Sequence, residues 1–191
     1  MNTPIDISST ILKTQRLILR PWRPSDLEDL YAYASVDGVG QMAGWKPHAS
    51  LEESRVRLDR FIARKSAFAL EHHGRAIGSV TIEFYNEAQF PELADKQCRQ
   101  IGFVLSKDYW GQGLTPEAVR EVVRYLFEEV GLDAILCGHF LTNVQSRRVQ
   151  EKCGFRHYAF GKYQTAFGTI EDEETTILKR EDWLAAERGN V

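Results

Sequence analysis

The sequence has only three cysteines, and their positions do not favour a cysteine-based scaffold. Cys98, Cys137 and Cys153 are widely spaced and form no Cys-x-x-Cys pair, so neither a disulfide framework nor a zinc knuckle is indicated. None of the five histidines stands at a recognised metal-ligand spacing from a cysteine or a carboxylate. We therefore expect a protein without a bound metal ion.

Long apolar runs and a strong net charge are also missing. No stretch approaches the roughly 20 apolar residues that a membrane-spanning helix needs. The first residues contain neither a basic start nor an apolar run, so they do not resemble a secretory signal. The net charge of −3 gives no reason to expect a nucleic acid or an anionic membrane as partner. Together these absences favour a cytoplasmic protein.

The length and composition of the chain are typical of one folded domain. With 191 residues it is long enough to bury a substantial core, and 43% hydrophobic with 27% charged residues is an ordinary balance. No internal repeat, linker or low-complexity segment divides it. We expect one domain over residues 11–185, a flexible N-terminal tail over 1–10 and a C-terminal tail over 186–191.

Strand and helix patterns alternate along the chain. Capping-box spacings predict helix starts at Ser25 and Ser50. Apolar residues at helical spacing predict a long helix over 116–130, and a nearly unbroken apolar run predicts a doubly covered strand over 134–141. The strand predicted over 100–105, the long helix and the apolar strand together form a right-handed crossover unit, so the two strands should be parallel. Further strands are predicted over 17–19, 67–70, 77–84, 155–163 and 170–178, and a short helix over 144–153.

A glycine loop precedes the long helix. Gly111 and Gly113 allow the backbone to curl tightly with its amides turned inward. The first turn of the helix leaves further N–H groups unpaired, and the helix dipole adds partial positive charge. The loop is therefore suited to a pyrophosphate, although a purely structural turn has the same pattern. The donors expected are the amides of Gly111, Gln112, Gly113, Leu114 and Thr115.

Four stretches, in order along the chain, resemble one known family. YWGQGLTPEA is similar to the pyrophosphate loop of the GNAT superfamily of N-acetyltransferases, and NVQSRRVQEKCGF is similar to its Asn-x-x-Ser helix. TQRLILRPWRPSDL and ILKREDW resemble the first strand and helix, and the last strand, of the branch that acetylates ribosomal-protein N-termini. The resemblance covers residues 12–184. It implies a single α/β N-acetyltransferase domain with a mixed central sheet, a splayed pair of parallel strands and flanking helices.

The resemblance also implies an acyl donor and a set of binding residues. Acetyl-CoA is expected as the donor, with its pyrophosphate on the amides of the glycine loop. The backbone near Val104 and Leu105 is expected to pair with the pantetheine arm and to polarise the thioester carbonyl. Asn143 and Ser146 are expected to line the gap between the splayed strands. Helix capping is the alternative role for Asn143.

An amine that attacks a thioester must lie close to the carbonyl, lose its proton and find a donor for the oxyanion. Glu83 is our first candidate for the base, with a plain surface charge as the alternative. His139 is the second candidate, with a hydrogen-bonded core histidine as the alternative. The hydroxyl of Ser146 is a candidate donor to the departing CoA thiolate. No covalent enzyme intermediate is expected, because Cys137 and Cys153 fit the pattern of core residues.

The predicted function is transfer of an acetyl group from acetyl-CoA to a primary amine by direct attack in a ternary complex. The acceptor is a protein N-terminus or a small-molecule amine, and Trp45, Lys46 and His48 are candidates for its pocket. One alternative is a non-catalytic acyl-CoA-binding module that regulates a partner. Another is an enzyme for a longer acyl group such as succinyl. A homodimer is one assembly that the sequence allows.

Overall fold

Eight strands form one mixed sheet in the computed structural model, which describes residues 3–189. The strands are β1 (Leu12–Lys13), β2 (Ile18–Pro21), β3 (Ala67–His72), β4 (Arg75–Glu83), β5 (Cys98–Leu105), β6 (Ala134–Phe140), β7 (Arg156–Gln164) and β8 (Ile170–Lys179). The α-helices of the described residues are α1 (Leu27–Ala34), α2 (Leu51–Arg64), α3 (Leu114–Glu128), α4 (Val144–Lys152) and α5 (Arg180–Gly189). The order across the sheet is β1-β2-β3-β4-β5-β6-β8-β7.

The crossover unit predicted from the apolar patterns is present. Strands β5 and β6 are parallel and α3 connects them, whereas all other neighbouring strands are antiparallel. Their pairing ends at Ile101 and Cys137, although β5 continues to Leu105 and β6 to Phe140. Strand β4 remains paired with β5, and β8 with β6, over these last residues. The parallel strands therefore splay apart, which confirms the predicted α/β fold.

The two faces of the sheet are covered by different helices. Phe68 and Leu70 of β3 belong to the apolar cluster that contains α3, whereas Ala67 and Ala69 belong to the cluster that contains α1 and α2. Because successive strand residues point to opposite faces, the two clusters lie on opposite sides of the sheet. We call these sides the α3 face and the α1–α2 face. The gap between β5 and β6 therefore connects the α3 face with the α1–α2 face of the sheet.

One predicted helix start is displaced by a buried ion pair. Helix α1 begins at Leu27, after a short 3-10 turn, rather than at Ser25. The Asp26 carboxylate accepts a hydrogen bond from the amide of Arg23 and two more from the guanidinium of Arg20, each at 2.8 Å. The Asp26 carboxylate thus caps the 3-10 turn over Pro24–Asp26 and makes no side-chain cap for α1. The second predicted cap is confirmed, because Ser50 Oγ accepts a hydrogen bond from the amide of Glu53 at 3.2 Å.

Parts of both expected tails pack or fold with the domain. Ile7 is 1% exposed, and its amide donates a hydrogen bond to the carbonyl of Lys65 at 2.8 Å. The flexible tail over 1–10 stays a prediction, and within it the apolar side chain of Ile7 is anchored to the core. Helix α5 continues through the first part of the expected C-terminal tail, to Gly189. Residues 1–2 and 190–191 lie outside the described residues. None of the described helices combines the length and apolar composition of a membrane span.

Candidate active site

A cavity of about 780 Å³ lies where β5 and β6 separate. Its wall includes the ends of both strands, the glycine loop, the first turns of α3 and α4, and part of the α1–α2 face. Of the residues that the sequence indicated, the wall includes Trp45, His48, Glu83, Val104, Leu105, Gly111, Gly113, Leu114, Thr115, His139, Asn143 and Ser146. It does not include Gln112 or Lys46. Nearly all the predicted site residues therefore share one space.

The glycine loop has the backbone conformation that its sequence requires. Gly111 and Gly113 both have φ of +76°, in the left-handed region that residues with a Cβ rarely adopt. Helix α3 begins at the residue after Gly113. Within residues 3–189, no protein acceptor takes the amides of Gly111 through Thr115. These donors therefore remain available to an anion in the cavity.

Arg16 supports the loop from outside, which the sequence analysis missed. Its Nη1 donates a hydrogen bond to the carbonyl of Gln112 at 2.9 Å, and its Nε donates to Glu117 Oε2 at 2.7 Å. Thr14 Oγ1 donates to the other oxygen of Glu117 at 2.6 Å. Burial opposes ionisation of Glu117, but the hydrogen bonds from Thr14 and Arg16 outweigh it and lower its pKa. The N-terminal strand region thus holds the loop against α3.

Gln112 itself points away from the cavity. Its Nε2 donates a hydrogen bond to the carbonyl of Asp108 at 3.1 Å, within the turn that leads into the loop. Its carbonyl is occupied by Arg16. The expected contribution of Gln112 is therefore restricted to its backbone amide, while its side chain stabilises the turn.

The alternation along β5 shows which backbone groups face the gap. The amide of Ser106 donates to the carbonyl of Ile77 in the β4 direction, whereas the carbonyl of Gln97 accepts from Asp133 in the β6 direction. Because these directions alternate along a strand, Phe103 and Leu105 turn their amides towards the gap, and Val104 turns its amide towards β4. Of the two residues named from the sequence, Leu105 therefore turns its amide to the gap and Val104 does not, and the Val104 side chain packs with the α1–α2 cluster.

Helix α4 places three polar side chains at the gap. The Asn143 Oδ1 accepts a hydrogen bond from the amide of Ser146 at 3.0 Å, and its Nδ2 donates to the carbonyl of Met42 at 3.1 Å. Gln150 is 1% exposed, and its Nε2 donates to both Ser146 Oγ and the carbonyl of Gly138. Asn143 therefore caps the helix and also ties it to the loop before α2. The Ser146 oxygen accepts from Gln150, so its own hydrogen is free to point elsewhere.

His139 is a buried, hydrogen-bonded residue. Its side chain is 1% exposed, its Nδ1 lies 3.1 Å from Gln150 Oε1, and its Nε2 lies 3.4 Å from Glu174 Oε2. Gln150 Oε1 also accepts from Thr176 Oγ1 at 2.7 Å. The Nδ1 of His139 therefore carries a hydrogen that points at the glutamine. This arrangement fits the core alternative, while His139 still lines the cavity and its Nε2 makes no hydrogen bond within residues 3–189.

The two cysteines near the gap have the properties of core residues. Cys137 and Cys153 are 1% and 8% exposed. Burial raises the pKa of Cys153 to about 11 and raises the pKa of Cys137 further. A thiol must ionise to act as a nucleophile, so both side chains are poorly suited to covalent catalysis at neutral pH.

The α1–α2 face brings two carboxylates to the cavity. Glu83 ends β4 on the face that carries Ser79 and Thr81, as the alternation predicts. Glu173 comes from β8 and lies beside Gly138, on the part of β6 that has left β5. Burial raises the pKa of Glu173 above its usual range. The sequence does not distinguish Glu173 from the other acids of β8, because only the folded sheet shows which of them reaches Gly138.

Aromatic and basic side chains roof this side of the cavity. The side chains that form this roof include Tyr33, Trp45, His48, Arg57, Phe61 and Tyr163. The His48 Nδ1 lies 2.7 Å from Ser54 Oγ, and burial, followed by the charge of Arg57, lowers the pKa of His48. His48 is therefore neutral at physiological pH. This side of the cavity is therefore partly apolar.

Comparison with known proteins decides the family. The family model of an acetyltransferase (GNAT) domain matches residues 16–156. The chain belongs to the GNAT acetyltransferases. It is thus an acetyl-CoA-dependent acetyltransferase, of a family that acts on amine acceptors. Among residues 3–189 of this GNAT acetyltransferase, no group of three or more histidine, cysteine, aspartate or glutamate side chains is arranged to hold a metal ion.

Relatives of this GNAT acetyltransferase include bacterial and fungal proteins. The probable N-acetyltransferase YjcK of Bacillus subtilis is 36% identical over 184 residues, which cover 90% of this chain and 98% of YjcK. The FsC-acetyl coenzyme A-N(2)-transacetylase of Aspergillus fumigatus is 39% identical over 95 residues, or 48% of this chain and only 40% of that protein. Mycobacterium smegmatis RimJ, solved in complex with CoA-disulfide, superposes with a TM-score of 0.71 at 18% identity, covering 93% and 95% of the two chains. RimJ therefore shares the fold.

The double role of Asn143 in this GNAT acetyltransferase leads to a test. We expect Asn143→Ala to lower the free energy of unfolding by about 1 kcal/mol, because the cap of α4 is lost. Asn143→Asp keeps the capping oxygen but sets a carboxylate against the carbonyl of Met42. It should regain most of that stability and still raise the KM for the acceptor, since the loop before α2 is released. Chemical denaturation and steady-state kinetics measure both effects. A raised KM for acetyl-CoA in the aspartate variant would instead indicate contact with the donor.

Proposed function

We propose that the chain transfers the acetyl group of acetyl-CoA to a primary amine, either a protein N-terminus or a small-molecule amine, by direct attack in a ternary complex. The observation that carries the proposal is the single cavity, which joins free backbone amides on the α3 face to two carboxylates on the α1–α2 face. Donor and acceptor can therefore meet without being transferred between sites. The structure of RimJ with CoA-disulfide supports a CoA ligand in this fold.

The residues of the loop and of β5 fit the donor. Bound acetyl-CoA supplies an acyl group that is already activated as a thioester. The amides of Gly111 through Thr115 would hold the pyrophosphate at the positive end of α3. The amides of Phe103 and Leu105 face the gap and would hydrogen-bond the pantetheine arm and the acyl carbonyl. The indole of Trp110 fixes this segment, because its Nε1 donates to the carbonyl of Leu105 at 2.8 Å.

Glu173 is the residue to which we assign removal of the amine proton. Its raised pKa lies closer to neutral pH than that of an ordinary glutamate, which is the condition for an effective general base. It also lies beside Gly138, at the level of the gap where the acyl carbonyl would lie. Glu83, our first candidate from the sequence, is more exposed and stands at the far end of β4. We assign Glu83 the attraction of the incoming ammonium group, which needs charge but no close approach.

Ser146 is the hydroxyl that would pass a proton to the departing thiolate, and water would return a proton to the serine oxygen. The hydrogen bond from Gln150 Nε2, at 3.1 Å, occupies an oxygen lone pair and leaves the Ser146 hydrogen to point into the cavity. Gln150 is itself held by His139 and Thr176, so the orientation of its amide is determined on both sides. His139 is thus a positioning residue for this group.

The short distance between Gly138 and Glu173 predicts the effect of one added methyl group. A Cβ at position 138 would overlap Glu173 Oε1, so Gly138→Ala must displace the carboxylate. We expect kcat to fall roughly 10-fold or more, and the fall to be much smaller when Glu173 is already glutamine. A double-mutant cycle in kcat measures this coupling. Additive losses would show that Gly138 acts independently of Glu173.

The proposed function is tested by CoA release with a panel of amines. We expect thiol release from acetyl-CoA to depend on both the amine and its concentration, and to be slower from succinyl-CoA. Binding of acetyl-CoA without release for any amine or peptide would indicate the regulatory module. Faster release from succinyl-CoA would indicate the longer acyl group. A background rate that no amine changes would contradict transfer to an amine.

A further inference from the structure

The roofed side of the cavity, which we call the acceptor chamber, contains a guanidinium without a protein counter-ion. Arg57 of α2 lines the cavity and is only half-buried, with its Cζ 5.7 Å from the centre of the Phe61 ring. Within residues 3–189, no carboxylate lies within the 4.0 Å of an ion pair from Arg57. Arg20, in contrast, is fully paired with Asp26 and Glu71. A half-buried guanidinium that lines the cavity without a protein carboxylate beside it is available to an anionic group of a ligand.

Arg57 interacts electrostatically with residues on several sides of the chamber. Its charge acts on Glu83 of β4, Tyr33 of α1 and Tyr163 of β7, which belong to three of the walls. Burial, and then the neighbouring charge of Arg60, lowers the pKa of Arg57, while the charge of Glu83 acts in the opposite direction. Arg64, two helical turns further along α2, also lines the cavity. The roof is therefore basic where the floor is acidic.

This distribution of charge complements one class of acceptor. Glu83 and Glu173 of the floor suit an amine, and the guanidinium fork of Arg57 suits a carboxylate. A doubly charged phosphate fits less well, because the same two glutamates would repel it. We propose that the acceptor is a primary amine whose own molecule carries a carboxylate, and that Arg57 binds this carboxylate. The inference rests on the proposed function and adds the acceptor's second charge to it.

The test compares acceptors that differ only in this charge. We would measure the Kd, by calorimetry with CoA present, and the kcat/KM of straight-chain ω-amino acids of increasing length and of their carboxamides. Peptides whose second residue is aspartate or asparagine form a second arm, which separates a protein N-terminus from a small molecule. We expect acceptors with a carboxylate to bind roughly 10- to 100-fold more tightly than the matching carboxamides, as for a charge-assisted hydrogen bond. The difference should appear among the ω-amino acids if the natural acceptor is a small molecule, and among the peptides if it is a protein N-terminus.

Variants of α2 assign the preference to Arg57. Arg57→Gln should abolish the preference, so that each carboxylate and its carboxamide bind with similar Kd, whereas Arg57→Lys should keep part of the preference. Arg55→Gln is the matched control, because Arg55 is exposed and faces Glu52 on the same helix. Equal Kd values for carboxylates and carboxamides in both arms, or a preference that survives in Arg57→Gln, would overturn the inference. A preference in Kd without turnover of any amine would support the carboxylate site and reject the proposed acetyl transfer.

Discussion

Gly113→Val is expected to abolish measurable binding of acetyl-CoA while the protein remains folded. Gly113 has φ of +76°, a conformation that a β-branched residue avoids at a cost of about 1–3 kcal/mol. A Cβ there meets no protein atom closer than 3.6 Å, so the new side chain fits the protein, but the φ that valine prefers would turn the loop amides out of their present positions. With several amide hydrogen bonds to an anion lost, affinity should fall roughly 100-fold or more. Calorimetric titration with acetyl-CoA measures it.

Gly131→Val provides the matched control for backbone strain. Gly131 follows the other end of α3, has φ of +83°, and a Cβ there would meet nothing within 4 Å. It suffers the same kind of strain far from the loop, so its variant should lose stability and keep its affinity for acetyl-CoA. Undiminished affinity in a folded Gly113→Val variant, or an equal loss in both variants, would refute the assignment of the pyrophosphate to the loop.

Glu173→Gln is expected to lower kcat by roughly 10²–10⁴-fold, the range for loss of a general base. In the wild-type enzyme, kcat should rise with pH through the raised pKa of Glu173, because the base acts only when it is ionised. Glutamine removes that ionisation, so this acid limb should disappear from the profile of kcat against pH. Any remaining limb then belongs to the amine itself. Glu83→Gln is expected mainly to raise the KM for the acceptor and to keep the limb.

Stability distinguishes this role of Glu173 from a structural one. A raised pKa means that the folded state favours the protonated carboxyl, so this stabilisation is present below the unfolded pKa and is lost as pH rises through the folded pKa. Glu173→Gln resembles the protonated form and should be at least as stable as the wild type at neutral pH. A less stable variant with normal kcat would show that Glu173 supports the fold. If the acid limb of the kcat profile disappeared in Glu83→Gln and remained in Glu173→Gln, Glu83 would be the base and Glu173 would attract the ammonium group.

Features that depend on local patterns could be predicted from the sequence. The helical spacing over 116–130, followed by a short apolar run, was sufficient for the parallel pair β5 and β6. The two glycines before α3 predicted a left-handed turn with free amides, since few other residues permit it. Asn143 at a helix start predicted the cap that Ser146 completes. In each case neighbouring residues along the chain determine the structure.

Features that depend on the register of distant strands could not be predicted. Glu173 is one of several acids in β8, and it is distinguished only by its pairing with Phe140, from which its carboxylate reaches Gly138. The alternation that gives Phe103 rather than Val104 a free amide is likewise set by pairing with β4. Arg16 supports the glycine loop through Glu117, 101 residues away in the sequence. Contacts of this kind leave no local pattern, because each partner is ordinary in its own segment.

We propose that the acetyl group passes directly from acetyl-CoA to an amine bound in the same cavity. Intact-mass spectrometry of a quenched reaction, which measures the acceptor and the protein together, tests this most directly. The acceptor should gain one acetyl group, in proportion to the CoA released, while the protein's mass stays unchanged at every time point. An acetylated protein that forms before the product and disappears as it accumulates would contradict direct attack, and Cys137 would then be the first residue to examine.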